Sequence, residues 1–346
     1  DISTNSCRSA SKRLRILWFE DNTCQPITFK LNTITYGTAC APFYAICTVK
    51  QLTTDESSEF PLALEIALRD IHMDDGITGT NDVKMAQILQ IQLIDMFAKS
   101  GTNLHKWTSS SLELLNSFPS SNQERTFPID AHVSKTLGMN WLHLDDYFIF
   151  KVDCKQEPKP TKRNVLSVIA RLYDPLGLLG PVICKMNVFL QTLWLEKFSF
   201  DDPLPQPIAV EWNHLASSLK AIELIKIPRW ILVDSPQKLV LRCFSGSSQT
   251  AYGAVLYLQC VMPDDTSTSK LVASKSRVSP RKTVSIPRLE LCGCLLAAQL
   301  KAKVEQALNL QIDSILMYID STISLTRIQT SPHRLKTLTA LLRFNG

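Results

Sequence analysis

The stretch Leu239-Val240-Leu241-Arg242-Cys243-Phe244-Ser245-Gly246-Ser247-Ser248-Gln249-Thr250-Ala251-Tyr252-Gly253-Ala254-Val255-Leu256-Tyr257-Leu258 decides the fold of the last third of the chain. Two apolar, β-rich runs flank a Ser/Gly turn, which is the pattern of a hairpin. Working outward, Lys270–Val278 supplies a third strand. Pro287 then stands in the first turn of a long helix over 288–307. Ile315–Ile319 gives a fourth strand that runs into Asp320. Three strands, a helix, a strand and a further helix describe a compact α/β module.

Upstream, the pattern changes. Thr161 is placed to cap a helix that runs to Tyr173, where Asp174-Pro175 breaks it, and 181–200 supply a second helix. The polar, proline-bearing stretch Asp153–Lys162 reads as a linker, and a second break falls near Pro228 to Pro236. In the first part, 27–36 read as a strand running into a turn at Gly37, and 40–52 have helical spacing. Residues 82–100 look amphipathic, with Met85, Ile88, Leu89, Ile91 and Phe97 apolar and Gly101 as the stop. The resulting organisation is α/β with three parts, at 1–150, 151–235 and 236–346.

Composition bounds the function. At 346 residues with 45% apolar content, the chain is long enough for more than one core and is not a disordered or collagen-like sequence. No apolar run approaches the roughly 18 residues that cross a bilayer, and the polar start is not a signal peptide, so no membrane role is expected. Ten cysteines without a CxxC pair suit a reducing, intracellular setting. The net charge of +5 is uneven: residues 1–150 carry −5 and residues 151–346 carry +10. A basic second half suits a polyanionic partner, although many basic domains bind none.

Adjacent carboxylates at Met73-Asp74-Asp75-Gly76 sit at a strand–turn–strand tip, where hard oxygen ligands can hold a divalent cation. Asp-Asp-Gly is equally an ordinary turn. Around it lie Leu31-Asn32-Thr33-Ile34-Thr35-Tyr36-Gly37-Thr38-Ala39-Cys40-Ala41-Pro42-Phe43, Lys135-Thr136-Leu137-Gly138-Met139-Asn140-Trp141 and Ala170-Arg171-Leu172-Tyr173-Asp174-Pro175-Leu176-Gly177-Leu178-Leu179-Gly180-Pro181-Val182.

In this order the motifs closely resemble the Pol polyprotein of Bel/Pao long-terminal-repeat retrotransposons. The resemblance runs from about residue 14 to the end. It implies a truncated α+β reverse transcriptase palm, a helical thumb/connection and an RNase H-like α/β domain, truncated at its C-terminus. By this likeness Asp74 and Asp75 are the paired metal-binding aspartates of a polymerase, with His72 where the family usually has Tyr. Tyr36, Gly37, Ala41 and Pro42 would line the nucleotide site, and Lys106 would be the cationic acid beside the leaving pyrophosphate. Read alone, Lys106 is a surface lysine. The third palm carboxylate is not evident; Asp1 is its remnant or is unrelated to it.

In the RNase H-like part, Glu290 in Ile286-Pro287-Arg288-Leu289-Glu290-Leu291 matches the helix carboxylate, and Asp320 in Tyr318-Ile319-Asp320-Ser321-Thr322 matches the strand-end aspartate. Without the family, Glu290 is a solvated helix residue and Asp320 a helix N-cap. The first-strand aspartate of the family falls on Gly246. The resemblance therefore implies Mg²⁺ or Mn²⁺ chemistry on RNA/DNA hybrids or single-stranded templates, and the residue inventory implies that this chain is defective in it. Lys159, Lys162, Arg163 and Arg171, and then Lys275, Arg277, Arg281, Lys282 and Arg288, would follow a phosphate backbone; a solvated-face role is the alternative. Other Pol or Gag-derived chains are the implied partners, and a cytoplasmic particle or the nucleus the implied location. No Asp-Thr/Ser-Gly supports a peptidase.

Overall fold

The computed structural model describes residues 15–19, 25–30, 37–73, 75–80, 82–117, 133–154, 157–280, 282, 284–331 and 334. The chain is α/β and divides into two compact units, Asp1–Phe127 and Pro128–Gly346.

In the first unit, β1 (Arg15–Trp18) pairs antiparallel with β2 (Ile27–Lys30), and both strands are exposed along their length. Three helices follow: α1 (Ala41–Asp55), α2 (Pro61–Arg69) and α3 (Val83–Lys99). Between α2 and α3, β3 (Ile71–His72) and β4 (Asp75–Gly76) form a short hairpin. The core joins Phe60, Ala63, Ile66 and Ala67 to Leu89, Leu93, Met96 and Phe97. Gln92 on α3 reaches back to accept the backbone N–H groups of Leu62 and Ala63 at 3.1 and 3.3 Å, satisfying two donors that the first turn of α2 leaves open. The spacing located α3 to within a residue at each end, but not its whole buried face. Met85, Ile88 and Ile91 are exposed, and Leu93 and Met96 take the core positions. A short helix, α4 (Leu112–Ser117), closes the described part of this unit.

The second unit opens on the hairpin β5 (Val133–Thr136) and β6 (Met139–Leu142), joined by Leu137 and Gly138, both at positive φ. Next come β7 (Tyr147–Ile149), α5 (Lys162–Arg171), α6 (Gly180–Leu195) and α7 (Gln206–Ser218). A 3-10 turn (Leu219–Leu224) leads into β8 (Lys226–Pro228), which pairs with β7. That pairing moves the domain boundary. β7, the third strand of this meander, hydrogen-bonds to the strand near residue 227, so 133–149 belong with the helices that follow and not with residues 1–127.

The linker expectation also changes at its end. Pro160 is buried and accepts from Leu204 N at 2.9 Å, and Thr161 caps α5 with a reciprocal bond to Asn164. The helices enclose a core that includes Val165, Leu193 and Leu219, with Phe189 stacked on Trp212 at 5.6 Å.

The last sheet has the order β11–β10–β9–β12, built from β9 (Lys238–Ser247), β10 (Ala251–Val261), β11 (Ser267–Val278) and β12 (Ser314–Ile319). The first three strands are antiparallel, and β12 is parallel to β9. Between β11 and β12 runs α8 (Ile286–Leu308), whose Leu296 and Ala297 pack on Leu241, Cys243, Leu256 and Leu258. Beyond β12 comes α9 (Thr322–Gln329).

The loop 174–180 ties the helical part to this sheet. Asp174 accepts from the N–H groups of Leu178 and Leu179 at 2.8 and 2.7 Å. Ser274 N on β11 donates to Leu176 O at 2.9 Å, and its hydroxyl donates to Gly177 O. Gly177 has φ +73°, and a Cβ there would overlap the Ser274 carbonyl, so only glycine fits this approach.

Candidate functional site: the strand ends of the last sheet

Register brings the candidate residues together. Ile319, the last residue of β12, stands opposite Ser245 on β9, so Asp320 follows directly beside Gly246. Across the sheet, Ser245 faces Ala254, which faces Lys275, while Tyr252 faces Arg277. With strands about 4.8 Å apart, Lys275 lies about 10 Å across the sheet from Ser245. Lys275 and Arg277 are exposed, as are Lys282 and Arg288. Arg281 lies outside the described residues.

The first turns of α8 approach the same strand end. A Cβ on Gly293 would lie 3.4 Å from Gly246 O, so the helix and β9 meet closely there. Cys294 lies 3.9 Å from the Ser245 hydroxyl, on the inner face of the sheet. Burial, with the nearby Cys294 adding, pushes the Cys243 thiol up to about 11, which makes it packing and not a nucleophile.

Glu290, one turn before Gly293, is partly buried and not on a fully exposed face: Ser321 Oγ donates to Glu290 Oε2, and so does Ser324 Oγ at 3.2 Å. Asp320 is not the helix cap. That role belongs to Ser321, whose hydroxyl accepts from Ser324 N at 3.2 Å. Neither serine stood out as a site residue, although a serine at the end of an apolar strand, with a second three residues on, is a readable N-cap signal.

Gly246 has an ordinary backbone, and a Cβ placed there meets nothing within 4 Å. Nothing in the packing around Cβ therefore demands glycine. Among the described residues, no three His, Cys, Asp or Glu side chains come together as a metal-ligand set. Glu290 and Asp320 alone do not fit a two-cation site.

The remaining candidates are elsewhere. Asp75 pairs with His72 on the short β3–β4 hairpin, and Met73 takes φ +56° in its turn; Asp74 lies outside the described residues. Gly37 sits at φ +81° ahead of α1, with Ala41 and Pro42 in the first turn of that helix, and Tyr36 lies outside the described residues. Lys106 is exposed, at φ +57°.

The cations around α5 behave differently from their sequence reading. Lys162 is buried, with Nζ 3.4 Å from the centre of the Trp194 ring and donating to Phe198 O at 3.3 Å. Its charge is stabilised by the ring face and the carbonyl, which withdraws it from any phosphate-facing surface. Arg163 is held by Asp201 at 2.6 and 2.9 Å, and Arg171 by Asp153 at 3.0 Å. No described helix is long and apolar enough to cross a membrane.

Comparison with known proteins bears on the second unit. Residues 161–321 match the family described as Pao retrotransposon-like RNaseH-like domain. No curated protein matches the chain. Among solved structures, a foamy viral protease-reverse transcriptase in complex with dsDNA is similar at 14% identity and TM-score 0.44, over 91% of this chain and 56% of that one. The dRH form of that protein, also with dsDNA, gives 12% identity and TM-score 0.47 over 88% of this chain and 46% of that one. This chain thus spans about half the length of those proteins. The motif resemblance and the domain match agree over residues 161–321, which are similar to the Pao retrotransposon-like RNaseH-like domains.

Proposed function

We propose that the second unit binds RNA/DNA hybrid through the strand-end surface of its RNase H-like sheet and does not hydrolyse the RNA strand. The observation that carries this reading is the register that sets exposed Lys275 and Arg277 at the same sheet end as Glu290, Asp320 and a side-chain-less position 246. Cations at that end can neutralise backbone phosphates, a salt-dependent and sequence-independent attraction. Lys282 and Arg288, on the chain that follows β11, are also exposed cations. The hydrolytic role of the fold needs carboxylates that position two cations and a water, and the described set stops at two, one of them tied to serines.

The short hairpin with Asp75, and the turn before α1 with Gly37, Ala41 and Pro42, we read as the remains of a polymerase palm. Its support is the Asp74-Asp75-Gly76 sequence at the hairpin tip.

Hybrid binding is tested by titrating fluorescent RNA/DNA hybrid at several salt concentrations. The affinity should fall linearly on a log–log plot. Lys275→Ala and Arg277→Ala should each weaken binding and shallow the slope by about one. An affinity that ignores salt or both substitutions would remove this surface from the reading.

A further inference from the structure

We infer that Glu290 serves this chain as a structural latch between α8 and α9, and not as a cation ligand. The carboxylate that the family resemblance assigns to metal holds two helices together instead. Both hydroxyl groups that reach it, from Ser321 and Ser324, converge on one oxygen, Oε2. A carboxylate oxygen offers two lone pairs, so this pair of donors fills Oε2 and fixes the orientation of the carboxylate between the two helices.

The latch is built from both sides. Ser321 caps α9 by accepting from Ser324 N, and its hydroxyl proton then goes to Glu290. Ser324 is fully buried, and besides Glu290 its hydroxyl lies 3.4 Å from Pro287 O in the first turn of α8. An anion beside the N-terminus of α9 also meets the positive end of that helix. The other carboxylate at this sheet end, Asp320, is exposed, and no third acid among the described residues completes a cation cage. A buried serine hydroxyl that reaches both the Glu290 carboxylate and the Pro287 carbonyl of α8 joins the start of α9 to the first turn of α8.

The latch does not depend on the hybrid-binding reading, and its test uses neither nucleic acid nor activity. Hydrogen–deuterium exchange of the full chain would be followed over residues 321–329, in EDTA and again in millimolar MgCl₂. The unmodified chain should exchange at the same rate in both. Ser324→Ala and Glu290→Ala should each speed exchange in α9 about tenfold, as loss of a buried hydrogen bond to a charged acceptor requires. The double variant should be little faster than either single one, because both remove the same joint. Glu290→Gln, whose amide oxygen still accepts, should retain most of the protection. The inference is overturned if MgCl₂ slows exchange in the unmodified chain and Glu290→Gln abolishes that slowing. It is equally overturned if Ser324→Ala leaves α9 unchanged.

Discussion

Gly177 and Gly246 occupy the same unit and carry opposite meanings. At Gly177 the backbone lies in the left-handed region and a Cβ would overlap the Ser274 carbonyl, so the residue is fixed by the joint between the helical part and β11. At Gly246 the backbone is ordinary and the space is open. The first glycine is required by the fold. The second marks only the absence of a side chain at the strand end, where the RNase H-like resemblance expects a carboxylate. The Leu-Gly-Leu-Leu-Gly-Pro run is thus architecture, and the proposed loss of hydrolysis turns on a position whose packing places no demand on it.

Substitutions can break this contrast. Gly177→Ala should have the largest effect, about 4 kcal/mol or more of lost stability in urea denaturation, because backbone must move away from backbone. Gly138→Ala should cost less, about 2 kcal/mol. Its φ is +81°, but the nearest obstacle is the ring of Tyr173, 2.7 Å from the added Cβ, and that ring is exposed and can swing outward. Gly246→Ala should be smallest, within about 0.5 kcal/mol of the unmodified chain and of either sign. A Gly246→Ala loss as large as that of Gly177→Ala would mean that the fold itself demands glycine at 246.

Local pattern made much of this legible. Thr161, Pro287, the alternation in 239–258 and the stop at Gly101 each act within a few residues, and the corresponding helices and strands start or end within a few residues of where the pattern puts them. The basic faces were less legible, because a lysine's environment is set at long range. Lys162 reads as a surface cation until Trp194 and Phe198, more than thirty residues later, fold over it. Likewise Val133–Ile149 read as part of the first region, since their partner strand lies near residue 227. At the candidate site, Glu290 and Asp320 stand out only through the motifs that carry the family resemblance. The serine pair that holds Glu290 depends on how α9 leaves β12, which no spacing rule fixes.

The most direct test of the account is cleavage of the RNA strand of an RNA/DNA hybrid by the unmodified chain, with Mg²⁺ and with Mn²⁺, run beside Gly246→Asp at a concentration where both bind. The account predicts that the unmodified chain binds the hybrid and leaves its RNA intact with either cation. Cleavage by the unmodified chain that disappears in Asp320→Asn would contradict it, because catalysis would then be running without a carboxylate at position 246.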